Sequence, residues 1–219
     1  MQVTQIQSGP AFRANTYILE ENDEVALIDA GMGTRYGRLK RALGERRPAW
    51  VLLTHWHVDH VRWLRRIAAD YGPLPVYCDF QTAQYITGKR RYHESSYYRE
   101  ESPWWLKPFW GMAFHLWPIP TLDAVTVVAP GDVLALGGEN WEVIDLEGHT
   151  LGSIGLYHAG RGVLFSGDAV FRTKDGALVP VSYAFSVSRE RVDATFARVQ
   201  AMDIKEIYPG HYSCGTVRK

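Results

Sequence analysis

The sequence predicts an α/β protein built from two matching halves. Three observations carry that prediction. Short apolar runs of strand character alternate with stretches at helical spacing along much of the chain. A strand–turn–strand–aspartate pattern occurs twice, at Asn15 to Asp29 and at Ser153 to Asp168. Each copy is followed by a helix, a strand and a histidine, His55 in the first half and His211 in the second. Two such halves could pack sheet against sheet with helices outside and ligand loops along one edge, so the repeat supports the prediction. The third observation is the stretch T-H-W-H-V-D-H-V, Thr54 to Val61. It places His55, His57, Asp59 and His60 where a strand ends and a helix begins.

The elements follow in order. Val3 to Gln7 reads as a first strand. Asn15 to Glu20 and Val25 to Asp29 form a hairpin about the polar turn Glu21-Asn22-Asp23. Tyr36 to Arg46 has alanine, leucine, lysine and arginine at helical spacing. Trp50 to Leu53 is a buried strand, Arg62 to Ala69 has helical character, Leu74 to Cys78 is a strand and Gln81 to Lys89 a helix. Strands resume at Val125–Val128, Val133–Leu136, Trp141–Leu146, Ile154–Tyr157 and Val163–Ser166, separated by turns such as Gly131-Asp132 and Gly137-Gly138. Glu190 to Met202 is a helix, and Ile204 to Tyr208 a last strand that runs into Pro209-Gly210-His211.

Between these elements, roughly over 91–120, lies an aromatic-rich insert. Tyr92, Tyr97, Tyr98, Trp104, Trp105, Phe109, Trp110, Phe114 and Trp117 are interrupted there by Pro103, Pro108 and Gly111. Such a pattern fits a second piece of core or a wall of a pocket. On the second reading the substrate has an apolar part.

Composition bounds the function. At 219 residues, 46% of them hydrophobic, the chain is expected to form a single domain over 1–219. Its 24 basic and 24 acidic side chains cancel, which leaves no general electrostatic footprint for nucleic acid. The basic run Lys89-Arg90-Arg91 reads as a solvated face. Cys78 and Cys214 make neither a C-x-x-C unit nor a disulfide framework. The first residues lack the pattern of a signal peptide, and no apolar stretch approaches a membrane span. The expectation is a soluble, cytoplasmic protein with a small-molecule substrate.

Imidazole and carboxylate together suit zinc, iron or manganese better than calcium or magnesium. Histidines recur in Gly148-His149-Thr150-Leu151-Gly152-Ser153 and in Pro209-Gly210-His211, and Asp168 follows an apolar strand in Ser166-Gly167-Asp168. In order, H-x-H-x-D-H, G-H-T-x-G-S, S-G-D and P-G-H resemble the metallo-β-lactamase superfamily. The match runs from Asp29-Ala30-Gly31 through His211.

That resemblance implies a four-layer αββα sandwich of two mixed β-sheets with helices on the outer faces. It also implies a dinuclear metal site at the sheet edge. His55, His57 and His149 would hold one metal, Asp59, His60 and His211 the other, and Asp168 would bridge them. Asp29 would orient a ligand histidine through its other ring nitrogen. The cofactors implied are two divalent ions, zinc first, with iron or manganese compatible. A water shared by two such ions becomes hydroxide near neutral pH, and Asp59 is the catalytic residue placed to orient it and carry a proton. His93, His115 and His158 match nothing in the pattern and read as ordinary histidines.

Among the branches of the superfamily, glyoxalase II resembles this core but adds a C-terminal helical domain, whereas this chain stops eight residues after His211. Quorum-quenching lactonases resemble the site but have tyrosine three residues after the bridging aspartate. Phe171 stands there, so the substrate-polarising hydroxyl is either missing or supplied elsewhere, with Tyr183 and Tyr212 as candidates. The expected activity is hydrolysis of an ester, thioester or lactone bond. The alternatives are a phosphodiesterase with the same dinuclear site and a mononuclear-iron persulfide dioxygenase.

Overall fold

The computed structural model describes residues 1–8, 13–32, 35–90 and 118–218. Most of the aromatic-rich insert, with His93 and His115, lies outside the described residues.

The first half builds one mixed sheet. Strands β1 (Gln2–Gln7), β2 (Asn15–Glu21) and β3 (Glu24–Ile28) run antiparallel in turn. Strands β4 (Val51–Leu52), β5 (Val76–Cys78) and β6 (Thr126–Val127) continue parallel to β3, so the spatial order equals the chain order. The crossovers carry helices α1 (Tyr36–Leu43), α2 (Val58–Val61), α3 (Leu64–Tyr71) and α4 (Phe80–Ile86). Helix α1 ends three residues short of the expected Arg46, because Gly44 turns the chain with φ 61°.

The second half builds the other mixed sheet from β7 (Val133–Leu136), β8 (Glu139–Asp145), β9 (Ile154–His158) and β10 (Val163–Gly167). A small hairpin, β11 (Val170–Arg172) with β12 (Leu178–Pro180), and helix α5 (Arg189–Ala201) lead to β13 (Glu206–Pro209) and β14 (Gly215–Thr216). The order is β14-β13-β10-β9-β8-β7, antiparallel except between β10 and β13. The hairpin β11–β12 and strand β14 went unread in the sequence, since two or three residues are too few to show a period of two.

The internal repeat is real in topology. In each half an antiparallel pair, β2–β3 or β9–β10, is followed by a strand parallel to its second member, β4 or β13. Asp29 and His55 therefore leave neighbouring parallel strands at their C-terminal ends, and so do Asp168 and His211. The carboxyl ends of parallel strands are where loops converge on ligands in α/β sheets.

Side-chain alternation makes the four layers. Tyr17, Leu19, Ala26, Ile28 and Leu52 of the first sheet meet Trp141, Val143, Leu156, Val163 and Phe165 of the second in one core between the sheets. Their sequence neighbours Ile18, Leu27 and Val51 face the other way, onto Leu39, Leu43, Leu64, Ile67 and Ile86 of the helices. Leu164 and Ile207 likewise face Val199 of α5. Period-two strands buried on both faces require helices outside both sheets. No helix among the described residues is long and apolar enough to cross a membrane. Cys78 and Cys214 are free thiols.

Phe165 is central to the inter-sheet core: its ring centroid lies 5.0 Å from Tyr208, 5.5 Å from Tyr17 and 5.7 Å from Trp141. Phe165→Ala should lose about 3–5 kcal/mol of unfolding free energy in urea denaturation. A loss below about 1 kcal/mol, far under that range, would show that the two sheets do not share a close-packed core.

Candidate metal centre

Seven predicted side chains meet at one edge of the sandwich. His55 and His57 follow β4. Asp59 and His60 stand on the single helical turn α2, where the amide of His60 bonds to the carbonyl of His57 at 2.9 Å. His149 comes from the turn between β8 and β9, Asp168 from the end of β10, and His211 from the turn after β13. His55, His57, His60, His149 and Asp168 are buried, and Asp59 and His211 are partly exposed.

Two glycines permit this convergence. A Cβ on Gly210 would stand 2.1 Å from Asp168 Oδ1, so only glycine lets the His211 turn pass the carboxylate. Gly148, at φ 144°, would put a Cβ 2.9 Å from the backbone of Val192 at the start of α5. The Gly148 carbonyl accepts the amide of Val187 at 2.6 Å, which ties the His149 turn to the segment leading into that helix.

Asp29 orients the centre from behind. Its φ of 61° is unusual for a residue other than glycine. Its Oδ1 accepts the Thr54 amide at 2.8 Å, and its Oδ2 accepts His60 Nδ1–H at 2.8 Å. The Thr54 hydroxyl lies 2.9–3.0 Å from both carboxylate oxygens and 3.0 Å from His55 Nδ1. A hydroxyl has one proton, and an ionised carboxylate only accepts. Thr54 therefore donates to Asp29 and accepts from His55 Nδ1–H, which leaves His55 Nε2 as a lone pair. The Phe185 carbonyl, 2.6 Å from His149 Nδ1, fixes His149 in the same tautomer.

The freed nitrogens converge. His57 Nδ1 lies 3.0 Å from His55 Nε2 and 2.9 Å from His149 Nε2. On the other side His60 Nε2 is 3.3 Å from His211 Nε2, and Asp59 Oδ2 is 3.4 Å from His211 Nε2. Asp168 stands between: Oδ2 is 3.5 Å from His149 Nε2 and 3.1 Å from His211 Nε2, while Oδ1 is 3.5 Å from His60 Nε2. Ligand atoms of His55, His57 and His149 all fall within 4.8 Å of one another, as do those of Asp59, His60 and His211, and those of His55, His60 and Asp168.

The electrostatics suit cations. Burial holds His55, His57 and His149 below the usual histidine range, which favours neutral rings with lone pairs that could take a metal ion. Burial also opposes charge on His60, yet Asp168, Asp59 and Asp29 outweigh it and push His60 up to about 10. Burial alone would raise Asp168, but His211 and His60 beside it hold its carboxyl well below the usual range. The field that keeps a proton at His60 Nε2 is the field a divalent cation would occupy in its place. Asp168 Oδ1 is buried and has no hydrogen-bond partner among the described residues. Paired lone pairs, an unspent carboxylate oxygen and a mixed nitrogen–oxygen donor set fit divalent metal ions.

Sequence reasoning did not find Thr54, the Phe185 carbonyl or Asn15. Asn15 donates to the Pro209 carbonyl at 2.9 Å beneath the His211 turn. A backbone carbonyl leaves no mark in sequence, though Thr54 stands directly before the histidine motif. Of the remaining histidines, His158 bonds to Glu139 at 3.0 Å, away from the centre, as an ordinary histidine would. Of the candidate hydroxyls, Tyr183 donates to Asp193 at 2.6 Å, whereas the Tyr212 ring lies 5.9 Å from that of His211.

Known proteins match this arrangement over most of the chain. A family profile described as the metallo-beta-lactamase superfamily covers residues 9–211. The human acyl-coenzyme A thioesterase MBLAC2 is 27% identical over 222 aligned residues, which span 92% of this chain and 74% of that protein. The hydroxyacylglutathione hydrolase of Rhodobacter capsulatus is 48% identical over 128 residues, 58% of this chain and 36% of that protein. In structure, TTHA1623 in a di-iron-bound form superposes with a TM-score of 0.71 at 24% identity, over 97% of this chain and 94% of that one.

Asp29→Ala removes the acceptor that orients His60 and, through Thr54, His55. Metal affinity should fall about 10–100-fold, as measured by competition with a chromophoric chelator. Wild-type affinity in that variant would show that Asp29 does not orient the ligands.

Proposed function

Because the chain belongs to the metallo-beta-lactamase superfamily, we propose that it is a metal-dependent hydrolase of thioester bonds, with ester and lactone bonds as related substrates. The observation that carries this reading is the pair of ligand groups on either side of Asp168. In it His55, His57 and His149 hold one ion, Asp59, His60 and His211 the other, and Asp168 both. Two divalent ions there would lower the pKa of water towards neutrality and polarise a carbonyl oxygen. Zinc is the proposed metal, and the di-iron form of the structural relative keeps iron compatible.

Thioesters come first because two relatives are named for acyl-coenzyme A and hydroxyacylglutathione, whose acyl groups both hang on a thiol. The side chain of Asp59 is 17% exposed and lies 3.4 Å from His211. A carboxylate partly open to solvent can orient water and pass its proton to the leaving thiolate.

Beside His211 lies an aromatic rim that suits the apolar part of a substrate. The Phe171 ring is 5.8 Å from that of Tyr212 and 6.4 Å from that of His211. Tyr212 is 57% exposed, and its hydroxyl is the candidate for polarising the substrate. The zero net charge supports a small-molecule substrate over a nucleic acid, and the free thiols support a reducing, cytoplasmic location. The whole chain acts in this reading as one catalytic domain.

A panel of acyl-coenzyme A thioesters, p-nitrophenyl esters, lactones and bis-p-nitrophenyl phosphate tests the proposal. Thioester hydrolysis should vanish with a chelator and return with zinc. Tyr212→Ala should raise KM roughly tenfold for long acyl chains, about the value of burying two methylenes, with little change in KM for acetyl substrates, and should lower kcat for both through loss of the hydroxyl. Activity confined to the phosphodiester would favour the phosphodiesterase. Oxygen uptake on a persulfide with one iron per chain would favour the dioxygenase.

A further inference from the structure

We infer that Asn15 is a positioning residue that sets the affinity of the metal position at His211 without touching the metal. The inference rests on the proposed reading that two ions share the centre. His211 stands on the turn between β13 and β14, at the far end of the second sheet. What holds that turn is the first sheet. The Asn15 amide donates to the Gly210 carbonyl at 2.7 Å, and Ala14 pairs with His211 as an isolated antiparallel bridge.

The side chain of Asn15 completes the clamp. It is fully buried. Its Nδ2 donates to the Pro209 carbonyl at 2.9 Å and to the Tyr212 carbonyl at 3.2 Å, one on each side of His211. The Tyr17 hydroxyl donates to the same Pro209 carbonyl at 2.6 Å and lies 3.0 Å from Asn15 Nδ2, so the three acceptors around that nitrogen share its two hydrogens. Gln5 Nε2 reaches Asn15 Oδ1 at 2.8 Å and the Tyr212 carbonyl at 2.9 Å. Because Gln5 donates to Oδ1, the amide of Asn15 can point only its NH2 at the two carbonyls. A buried asparagine that merely satisfied itself would need no such arrangement. Here every donated hydrogen is aimed at the backbone flanking a ligand or at the hydroxyl that supports it.

His55 and His149 depend on other contacts, with Thr54 and the Phe185 carbonyl, and His57 follows β4. Loosening Asn15 should therefore cost the His211 position selectively. A ligand displaced by a fraction of an ångström loses affinity as it does when its orienting partner is removed, about 10–100-fold.

The test is a stepwise zinc titration by calorimetry of the metal-free full chain, with cobalt spectra to tell the two positions apart. Asn15→Asp keeps the volume but sets a carboxylate oxygen against two carbonyls. It should weaken one of two ions about 10–100-fold and leave the other near wild type, the same pattern as His211→Ala. Tyr17→Phe, which removes one donor to Pro209 and keeps the ring, should shift the same position in the same direction by less. It decides the matter if Asn15→Asp does not fold. Equal weakening of both ions, or no change in either, overturns the inference alone. A wild-type chain that binds a single ion overturns the two-ion reading and the inference with it.

Discussion

One carboxylate holds the centre together. Asp29 ends β3 in a left-handed conformation and spends both oxygens on the neighbouring strand and helix, on the Thr54 amide and hydroxyl and on His60 Nδ1. Through those bonds it sets the tautomers of His55 and His60, one in each ligand group. The Thr54 carbonyl in turn accepts the amide of Ile154 at 2.9 Å, which ties the same residue to the second sheet. Asp29 thus couples orientation of the ligands to docking of the two halves.

The fold explains why such a frame is needed. Both sheets are buried on two faces by apolar side chains, so the edge where their parallel strands end is the natural place for polar groups. Gathering five buried ionisable side chains there is costly unless each is paired. The structure meets that cost in two ways. Outer nitrogens are spent on Asp29, Thr54 and the Phe185 carbonyl, and inner atoms are left to face one another. Inner lone pairs and carboxylates stabilise a cation more than they stabilise each other, so an ion bound there adds to the stability of the folded chain. The rings of Phe171 and Tyr212, 5.8 Å apart, stand beside His211 at this polar centre.

Much of this was legible in the sequence, and the physical reasons differ by element. The side chains that converge at the sheet edge could be read because H-x-H-x-D-H and the three later motifs are short and chemically specific. The two-sheet architecture came from the resemblance those motifs carry, and the repeat of strand, turn, strand, aspartate supported it, since each copy places its aspartate and histidine on adjacent parallel strands. Helix α2 was harder: a four-residue turn within the histidine motif has no periodicity to detect. The hairpin Val170–Pro180 was missed for the same reason. Asn15, Thr54 and Phe185 act through backbone atoms or through contacts across 25 to 197 positions of chain, and no local pattern announces such contacts.

The most direct test of the two-ion centre is anomalous diffraction from crystals of the full chain, with data on either side of the zinc and iron absorption edges. The account predicts two anomalous peaks roughly 3.5–4 Å apart, one beside His55, His57 and His149, the other beside Asp59, His60 and His211, with Asp168 between them. A single peak held by one group, with the other group's side chains bonded only among themselves, would contradict it.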